Sequence, residues 1–289
     1  MNKFFIIDAM NLAHRSYYVF KDLKTSSGQF TGATYGASSF MFNLINSQKP
    51  DFIAVATDLP TKTFRHEMSP DYKNNRAKKD DSFIDQLPLF YELFEKMKIP
   101  VLRQEGFEAD DIIGTLAKRF SSEMEVYIVS SDKDFMQCLD NNVFMYKPLK
   151  WPNFEIISNR DVPTKLGVSH NLVVDYMSIV GDTSDNIKGV KGIGPKGAQT
   201  LIAKYGSLDG IYANISNVDG KNKEKLELNK SEAYLARELV KIRDNIDLTL
   251  DMDSAKLSHD ALNSEELKSF YERLEFESFK DAVANQANL

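Results

Sequence analysis

The chain has 289 residues, of which 42% are hydrophobic and 27% charged, with one cysteine, four histidines and a formal net charge of −6. That length and apolar content suit one large or two small packed domains and exclude a wholly disordered chain. A single cysteine, Cys138, excludes an internal disulfide and a thiolate zinc site and fits a reducing, cytoplasmic compartment. No apolar run approaches the roughly 20 residues of a membrane helix, and Asp8 interrupts the first apolar run where a secretory leader would continue.

Phe4–Ile7 is short, aromatic and β-branched, and predicts a buried parallel strand that stops at Asp8. Tyr35, Phe40, Phe42, Leu44 and Ile45 give residues 32–47 a helical spacing. Residues 51–56 predict a second buried strand, stopping before Asp58. Residues 60–82 are polar and basic with almost no apolar periodicity, too long for an ordinary connection, and are expected to be functional or disordered. An amphipathic helix over 83–98, a short strand at 100–102 and a helix over 108–120 follow. Val126–Val129 is a third strong strand, ending in Ser130-Ser131-Asp132. Strands alternating with helices predict an α/β fold with a mostly parallel central sheet over residues 1–165. A weaker β pair is expected at 143–146 and 154–157. From Asp161 the pattern is helical only, which predicts a second, helical domain over 166–289, with the boundary inside 158–180 and a frayed tail at 285–289.

The net negative charge taken alone argues against a nucleic-acid partner. Its distribution does not. Residues 61–79 carry Lys62, Arg65, Lys73, Arg76, Lys78 and Lys79 against Glu67 and Asp71, and residues 186–206 carry four lysines and no acid. The acids concentrate elsewhere. Asp8, Asp58 and the pair Asp132 and Asp134 follow the three strong strands; Glu108, Asp110 and Asp111 open a helix; Asp182 and Asp185 precede a glycine-rich turn. In an open α/β sheet, ligands bind beyond the carboxyl ends of the strands. Each acid alone reads equally well as a helix cap or first-turn acid. Together, so many like charges at one sheet edge require cations. Oxygen donors without histidine or cysteine suit Mg²⁺, with Mn²⁺ as a substitute. Two such ions about 4 Å apart activate water and stabilise the leaving oxygen in phosphodiester hydrolysis.

Tyr72, Lys73 and Arg76 lie in the basic segment, where the two cations read either as a clamp on a scissile phosphate or as part of a solvated loop. Arg15 reads as a phosphate ligand or a surface arginine. In Gly189-Val190-Lys191-Gly192-Ile193-Gly194 the glycines allow close approach of backbone to phosphate, and the next helix offers its N-terminal amides. Lys188, Lys191 and Lys196 add charge, and the turn's carbonyls offer a K⁺ site. Such a turn grips backbone and reads no sequence.

Four strings carry a resemblance: Phe107-Glu108-Ala109-Asp110-Asp111-Ile112-Ile113-Gly114-Thr115-Leu116-Ala117, Ser131-Asp132-Lys133-Asp134, Gly181-Asp182-Thr183-Ser184-Asp185-Asn186 and the glycine turn. In this order they resemble the 5′-nuclease (flap endonuclease) family, above all the 5′–3′ exonuclease domain of bacterial DNA polymerase I and free-standing phage counterparts. Thr31-Gly32-Ala33-Thr34-Tyr35-Gly36 and Thr63-Phe64-Arg65 match that branch, and the similarity runs from about Phe4 to about Phe279. The resemblance implies a resolvase-like sheet with a helical arch at about 60–82 and a helix–hairpin–helix element at 186–205. It implies a metal-dependent enzyme that cuts DNA at 5′ flaps, nicks and 5′ ends in replication or repair. It places one metal group at Asp8, Asp58, Glu108, Asp110 and Asp132 and a second at Asp134, Asp182 and Asp185, with Asp111 lining the pocket between them. Lys73 and Arg76 correspond to arch residues, Arg15 to the arginine after the first strand, and Val190 and Ile193 to K⁺ ligands in the duplex-gripping turn. His14 stands where the family often has an aromatic that stacks on a base, and Ala9 stands where it usually has glycine. No polymerase follows residue 289, so the chain is expected to act alone or through a partner, a DNA polymerase and a ligase in trans, and the resemblance implies a monomer. The rival readings are a silent junction-binding module, an RNA-cutting enzyme and a small-molecule phosphohydrolase. The first predicts flap affinity without a metal-dependent product, an RNA-only substrate separates the second, and the third would not need the helical half or the basic segment.

Overall fold

The structure, a computed structural model, describes residues 1–150 and 153–279. The tail expected at 285–289 lies outside the described residues. The chain runs β1 (Asn2–Asp8), α1 (Ala9–Phe20), α2 (Gly32–Gln48), β2 (Phe52–Ala56), α3 (Phe64–Met68), α4 (Asp81–Ile84), α5 (Leu87–Lys96), β3 (Val101–Leu102), α6 (Ala109–Phe120), β4 (Met124–Val129), β5 (Val143–Pro148) and β6 (Phe154–Ile157). Then come α7 (Val162–Leu166), α8 (Val173–Val180), β7 (Gly181–Asp182), β8 (Ile187–Lys188), α9 (Pro195–Tyr205), α10 (Leu208–Ala213), α11 (Gly220–Leu228), α12 (Lys230–Val240), α13 (Met252–Ala255), α14 (His259–Leu262) and α15 (Glu265–Arg273).

The main sheet has the order β3-β2-β1-β4-β5-β6, parallel except for β6. β1 is central, and Phe4, Phe5, Ile6 and Ile7 are all fully buried. A strand sends alternate side chains to opposite faces. Phe4 and Ile6 therefore enter the core under α6, and Phe5 and Ile7 the core under α1, α2 and α5. Helices on both faces explain why the run is continuously apolar rather than alternating. Each such side chain contributes about 2 kcal/mol by leaving water.

The structure departs from the expected elements in four places. The helix expected over 83–98 is two helices. Pro88 occupies the first turn of α5, where its missing N–H costs nothing, and the buried Gln86 side chain bridges the break by accepting from Ala33 N at 2.8 Å and donating to Ser82 O at 3.1 Å. Residues 60–82 are not a featureless loop: α3 is fixed by a capping box between Thr63 and His66, and Arg65 and Tyr72 are buried. There is no long helix in this segment, so the expected helical arch is a short strap. The stretch after Asp161 also contains the small hairpin β7–β8. The helical stretch expected over 166–289 divides. α7 to α12 pack with one another, whereas Leu262, Leu267, Phe270, Tyr271, Leu274, Phe276 and Phe279 return to the core beside α2 and α5. Leu257 N bonds Asp51 O at 2.9 Å, which fixes the return.

Candidate active site

The strand order reverses at β1: β2 lies on one side of it and β4 on the other. The crevice beyond the carboxyl ends of these strands is the ordinary ligand position of such a sheet. Asp8 ends β1 and caps α1. Its Oδ1 accepts from Asn11 N at 3.0 Å, and its Oδ2 accepts from the Ser130 hydroxyl at 2.9 Å. Asp132 follows β4 and caps the short 3₁₀ turn Lys133–Cys138, accepting from Asp134 N at 3.0 Å. Asp58, two residues past β2, accepts from Ala109 N at 2.7 Å. Glu108 caps α6, and Asp110 lies in its first turn. Capping thus aims these carboxylates at the crevice instead of removing them from it. Asp8, Asp58, Glu108, Asp110 and Asp132 line one cleft of about 380 Å³, and Arg15, Lys73, Arg76 and Lys79 line the same cleft.

The acids are short of compensating charge. Burial pushes the Asp8 carboxyl up to about 6, helped by Asp58 and Asp132 and opposed by its two hydrogen bonds. Burial, then Asp8 and Asp132, raise Asp110 well above the ordinary range. Asp134 is pushed up to about 8 by burial and by Asp132 and Asp182, and its buried Oδ1 has no hydrogen-bond partner. The other two acids are compensated. Burial would raise Asp182, but Ser184 at 2.8 Å (N) and 2.5 Å (Oγ) and Lys133 at 3.3 Å hold it below the usual range. Asp185 accepts from Tyr72 at 3.1 Å and pairs with Arg76, with Lys73 Nζ 3.7 Å away.

Lys73 is the hinge between the groups, because its Nζ is 2.7 Å from Glu108 Oε1. Its backbone is left-handed, with φ 57°, and its N–H donates to Asp185 O at 2.9 Å. Glu108, Asp185 and Asp110 raise its pKa against the effect of burial. Among the described residues no three carboxylates, imidazoles or thiols stand close enough to hold one metal ion as they are.

Three sequence expectations change here. Asp111 does not line the pocket. It is fully buried and held by Arg65 at 2.7 and 2.9 Å, which neutralises it. Tyr72 is not on a DNA-facing surface: it is 4% exposed, and its hydroxyl bonds Glu108 at 2.9 Å and Asp185. His14 lines the cleft, but one ring face lies on Phe83, with centroids 4.1 Å apart and planes at 14°. Asp134, Asp182 and Asp185 lie outside the cleft that the first group lines. Sequence reasoning missed Lys79, Asn11 and Tyr18 as cleft residues. Helical spacing was the available signal, since Asn11 and Tyr18 follow Asp8 and His14 by three and four positions on α1. Arg15 lines the cleft and makes no ion pair among the described residues.

The glycine turn follows β8. A Cβ on Gly189 would sit 2.3 Å from Ile179 O, so only glycine fits there, and Gly192 has φ +82°. Val190 N donates to Ile179 O at 2.7 Å, and Val190 O accepts from Ile193 N at 3.0 Å. The Val190 and Ile193 side chains are core, while Lys188, Lys191, Gly192, Gly194 and Lys196 are exposed. The strap reaches this element too: Asn75 donates to Thr183 O at 2.7 Å.

Comparisons with known proteins bear on the fold and the family. Residues 3–167 match the family model for the N-terminal resolvase-like domain of 5′–3′ exonuclease, and residues 168–263 match that for its C-terminal SAM fold. The chain is 34% identical to a 5′–3′ exonuclease of Aquifex aeolicus over 98% of this chain and 96% of the relative. It is 35% identical to the thermostable DNA polymerase I of Thermus thermophilus over 94% of this chain, and spans 32% of that longer protein. Its fold superimposes on phage T5 5′-exonuclease with bound divalent zinc ions at a TM-score of 0.72, 23% identity, covering 95% of this chain and 98% of the other. It also superimposes on the catalytic core of Rad2 with DNA substrate at a TM-score of 0.61, 17% identity, covering 98% and 90%. With both family models matched in chain order and a full-length relative at this identity, the chain belongs to the 5′–3′ exonuclease family, a family of nucleases.

Proposed function

We propose that the protein is a structure-specific 5′-nuclease that hydrolyses DNA phosphodiesters at 5′ flaps, nicks and 5′ ends with two divalent ions. The observation that carries this reading is the single cleft in which five carboxylates at strand and helix ends face three unpaired or releasable bases, Arg15, Lys73 and Arg76. The donor set is entirely oxygen, and Asp134 keeps a buried oxygen without a partner, which suits hard divalent ions. Asp8, Asp58, Glu108, Asp110 and Asp132 would hold one ion, and Asp134, Asp182 and Asp185 the other, Mg²⁺ being the expected metal. Bound there, such ions lower the pKa of water and offset charge on a phosphate.

The chain's own residues do the rest. The glycine turn, with Lys188, Lys191 and Lys196, seats duplex phosphates, and the Val190 and Ile193 carbonyls offer K⁺ a place there. Lys73 and Arg76 exchange Glu108 and Asp185 for the scissile phosphate and stabilise charge as it develops. Arg15 also holds the phosphate. Tyr72 keeps Glu108 and Asp185 oriented. The cytoplasm is the proposed site of action, in replication or repair. DNA polymerase I relatives carry the matching segment within a longer chain, which supports a polymerase as the source of substrate, with a ligase as its consumer.

The test is cleavage of a 5′-flap duplex and a matched single strand in Mg²⁺ and in EDTA. A product ending near the junction, formed only with metal, is expected. Binding without cleavage in both Mg²⁺ and Mn²⁺ would leave a junction-binding protein instead.

A further inference from the structure

The Arg65–Asp111 pair is too elaborate for a filler of buried space. Arg65 Nη1 and Nη2 donate to the two Asp111 oxygens at 2.7 and 2.9 Å. Its Nε donates to Leu239 O at 2.8 Å and its Nη2 also to Lys241 O at 3.0 Å. Those carbonyls belong to the last turn of α12 and the residue after it, where a helix has no internal donors left to offer. Asp111 in turn accepts from Glu108 N at 3.1 Å and from Arg243 N at 2.8 Å. Arg65 Nη1 also stands 3.4 Å from Glu108 Oε2. One buried ion pair therefore touches the backbone and the side chain of Glu108 on one side and the end of α12 on the other.

The other end of α12 is at the glycine turn. Asn229, which precedes its first residue, and Glu232 in its first turn line the same cavity as Lys188 to Gly194. An 11-residue helix is rigid over roughly 16 Å. α12 is thus a strut from the duplex grip to Arg65, and Arg65 with Asp111 joins that strut to the acid cleft. Neighbouring bonds stiffen the joint: Gln137 accepts from Ile242 N at 2.9 Å and donates to Val240 O at 2.9 Å.

We propose that Arg65 and Asp111 are a positioning pair that sets Glu108 in register with the glycine turn, and so fixes which phosphate of a gripped duplex reaches the cleft. The pair touches neither substrate nor metal. The proposal rests on the nuclease reading above.

The test replaces the pair as a unit. Arg65→Met with Asp111→Leu removes both charges together and leaves none buried and unpaired, a change that folded proteins tolerate. Three quantities are measured beside the wild type: thermal melting in EDTA, Mn²⁺ affinity by electron paramagnetic resonance without DNA, and the product lengths and kcat on a 5′-flap duplex. The expected variant melts cooperatively, binds Mn²⁺ about 10- to 100-fold more weakly, loses a similar factor in kcat with KM unchanged, and spreads its cuts over neighbouring phosphates. A folded variant with wild-type Mn²⁺ affinity, kcat and a single cut position overturns the proposal. If the double variant does not fold, Arg65→Lys keeps the charge but loses the fork. Spread cuts in that variant support the proposal, and wild-type values in all three measurements overturn it. A wild-type protein that neither binds Mn²⁺ nor cuts refutes the nuclease reading itself, a result distinct from any difference between wild type and variant.

Discussion

The acids of the site meet their charge in two opposite ways, and Asp134, raised to about 8 with a buried oxygen that has no hydrogen-bond partner, stands with the unpaired ones. Among the described residues, Asp8, Asp58, Asp110 and Asp132 form no ion pair, and burial raises Asp8 and Asp110. Asp182 and Asp185 are paired with Lys133, Arg76 and Lys73, and Glu108 stands between the groups with one oxygen on Lys73. Lys73 offsets part of the charge on Asp110, and a cation from outside would relieve the first group further. The second stores the cations that the proposed reaction needs, within reach of the cleft but neutralised until a phosphate competes for them. Local structure explains the difference. Asp8 and Glu108 are buried at a strand end and a helix cap, whereas Asp58 and Asp132 follow their strands on exposed positions. The second group belongs to the hairpin β7–β8 and the strap, on which long lysine and arginine side chains can move.

The largest expected effect comes from removing one under-compensated charge. Asp110→Asn should lower cleavage on the order of a thousandfold in Mg²⁺. In EDTA the same variant should melt higher than the wild type, because one buried repulsion is gone. Single-turnover cleavage and thermal melts check both; a lower melting temperature without metal would show that Asp110 is compensated in a way the hydrogen bonds do not reveal. On the other side of the comparison, Lys73→Ala should cut kcat about 100-fold while changing flap affinity little. It should lower the melting temperature in EDTA, since Glu108 and Asp185 each lose a partner. Opposite signs of the two melting shifts are the signature of the contrast.

Much of this was legible from sequence, and what was not has physical reasons. β1, β2 and β4 could be read because buried parallel strands are short unbroken apolar runs, and the acids after them because the ends of such strands are where ligands sit. Asp111 misled because its neighbours Glu108 and Asp110 face the cleft, and only the fold shows that the same turn sends Asp111 inward to Arg65, 46 residues away in the chain. Tyr72 reads as polar-segment surface until the hydroxyl bonds to Glu108 and Asp185 are seen. The return of the C-terminal helices to α2 and α5 has no local signal, since an apolar helix face does not say which layer it will cover. Two-residue strands such as β7 and β8 are too short for a period to show.

Protonation gives the comparison a pH axis. An acid whose folded pKa lies above its unfolded value binds more protons when folded, so its contribution to stability is present at low pH and is lost as pH rises. For Asp8, raised to about 6, and Asp134, raised to about 8, that loss runs from the ordinary carboxylate range near pH 4 up to about pH 8. Metal-free protein should therefore melt lower at pH 8 than at pH 5.5, and Mg²⁺ should add more stability at pH 8, where it competes with fewer protons. Equal Mg²⁺ shifts at both pH values would contradict the raised carboxyls.

The smallest effects test the proposed duplex grip rather than the cleft. Gly189 and Gly194 bound the same turn but differ in surroundings. A methyl on Gly189 meets Ile179 O at 2.3 Å and Gly181 N at 2.5 Å, both backbone, whereas one on Gly194 meets nothing within 4 Å. Gly189→Ala should cost about 1–3 kcal/mol of stability, because two stretches of main chain must part. Gly194→Ala should leave the melting temperature unchanged, since its φ of −91° suits any residue. Gly194 is exposed at the cap of α9, where the backbone amides point outward. If a phosphate packs against that cap, the methyl has to displace it, and duplex affinity falls without any change in folding. Unchanged affinity in Gly194→Ala would move the phosphate contact to the lysines alone, and the salt dependence of binding would then account for the whole grip.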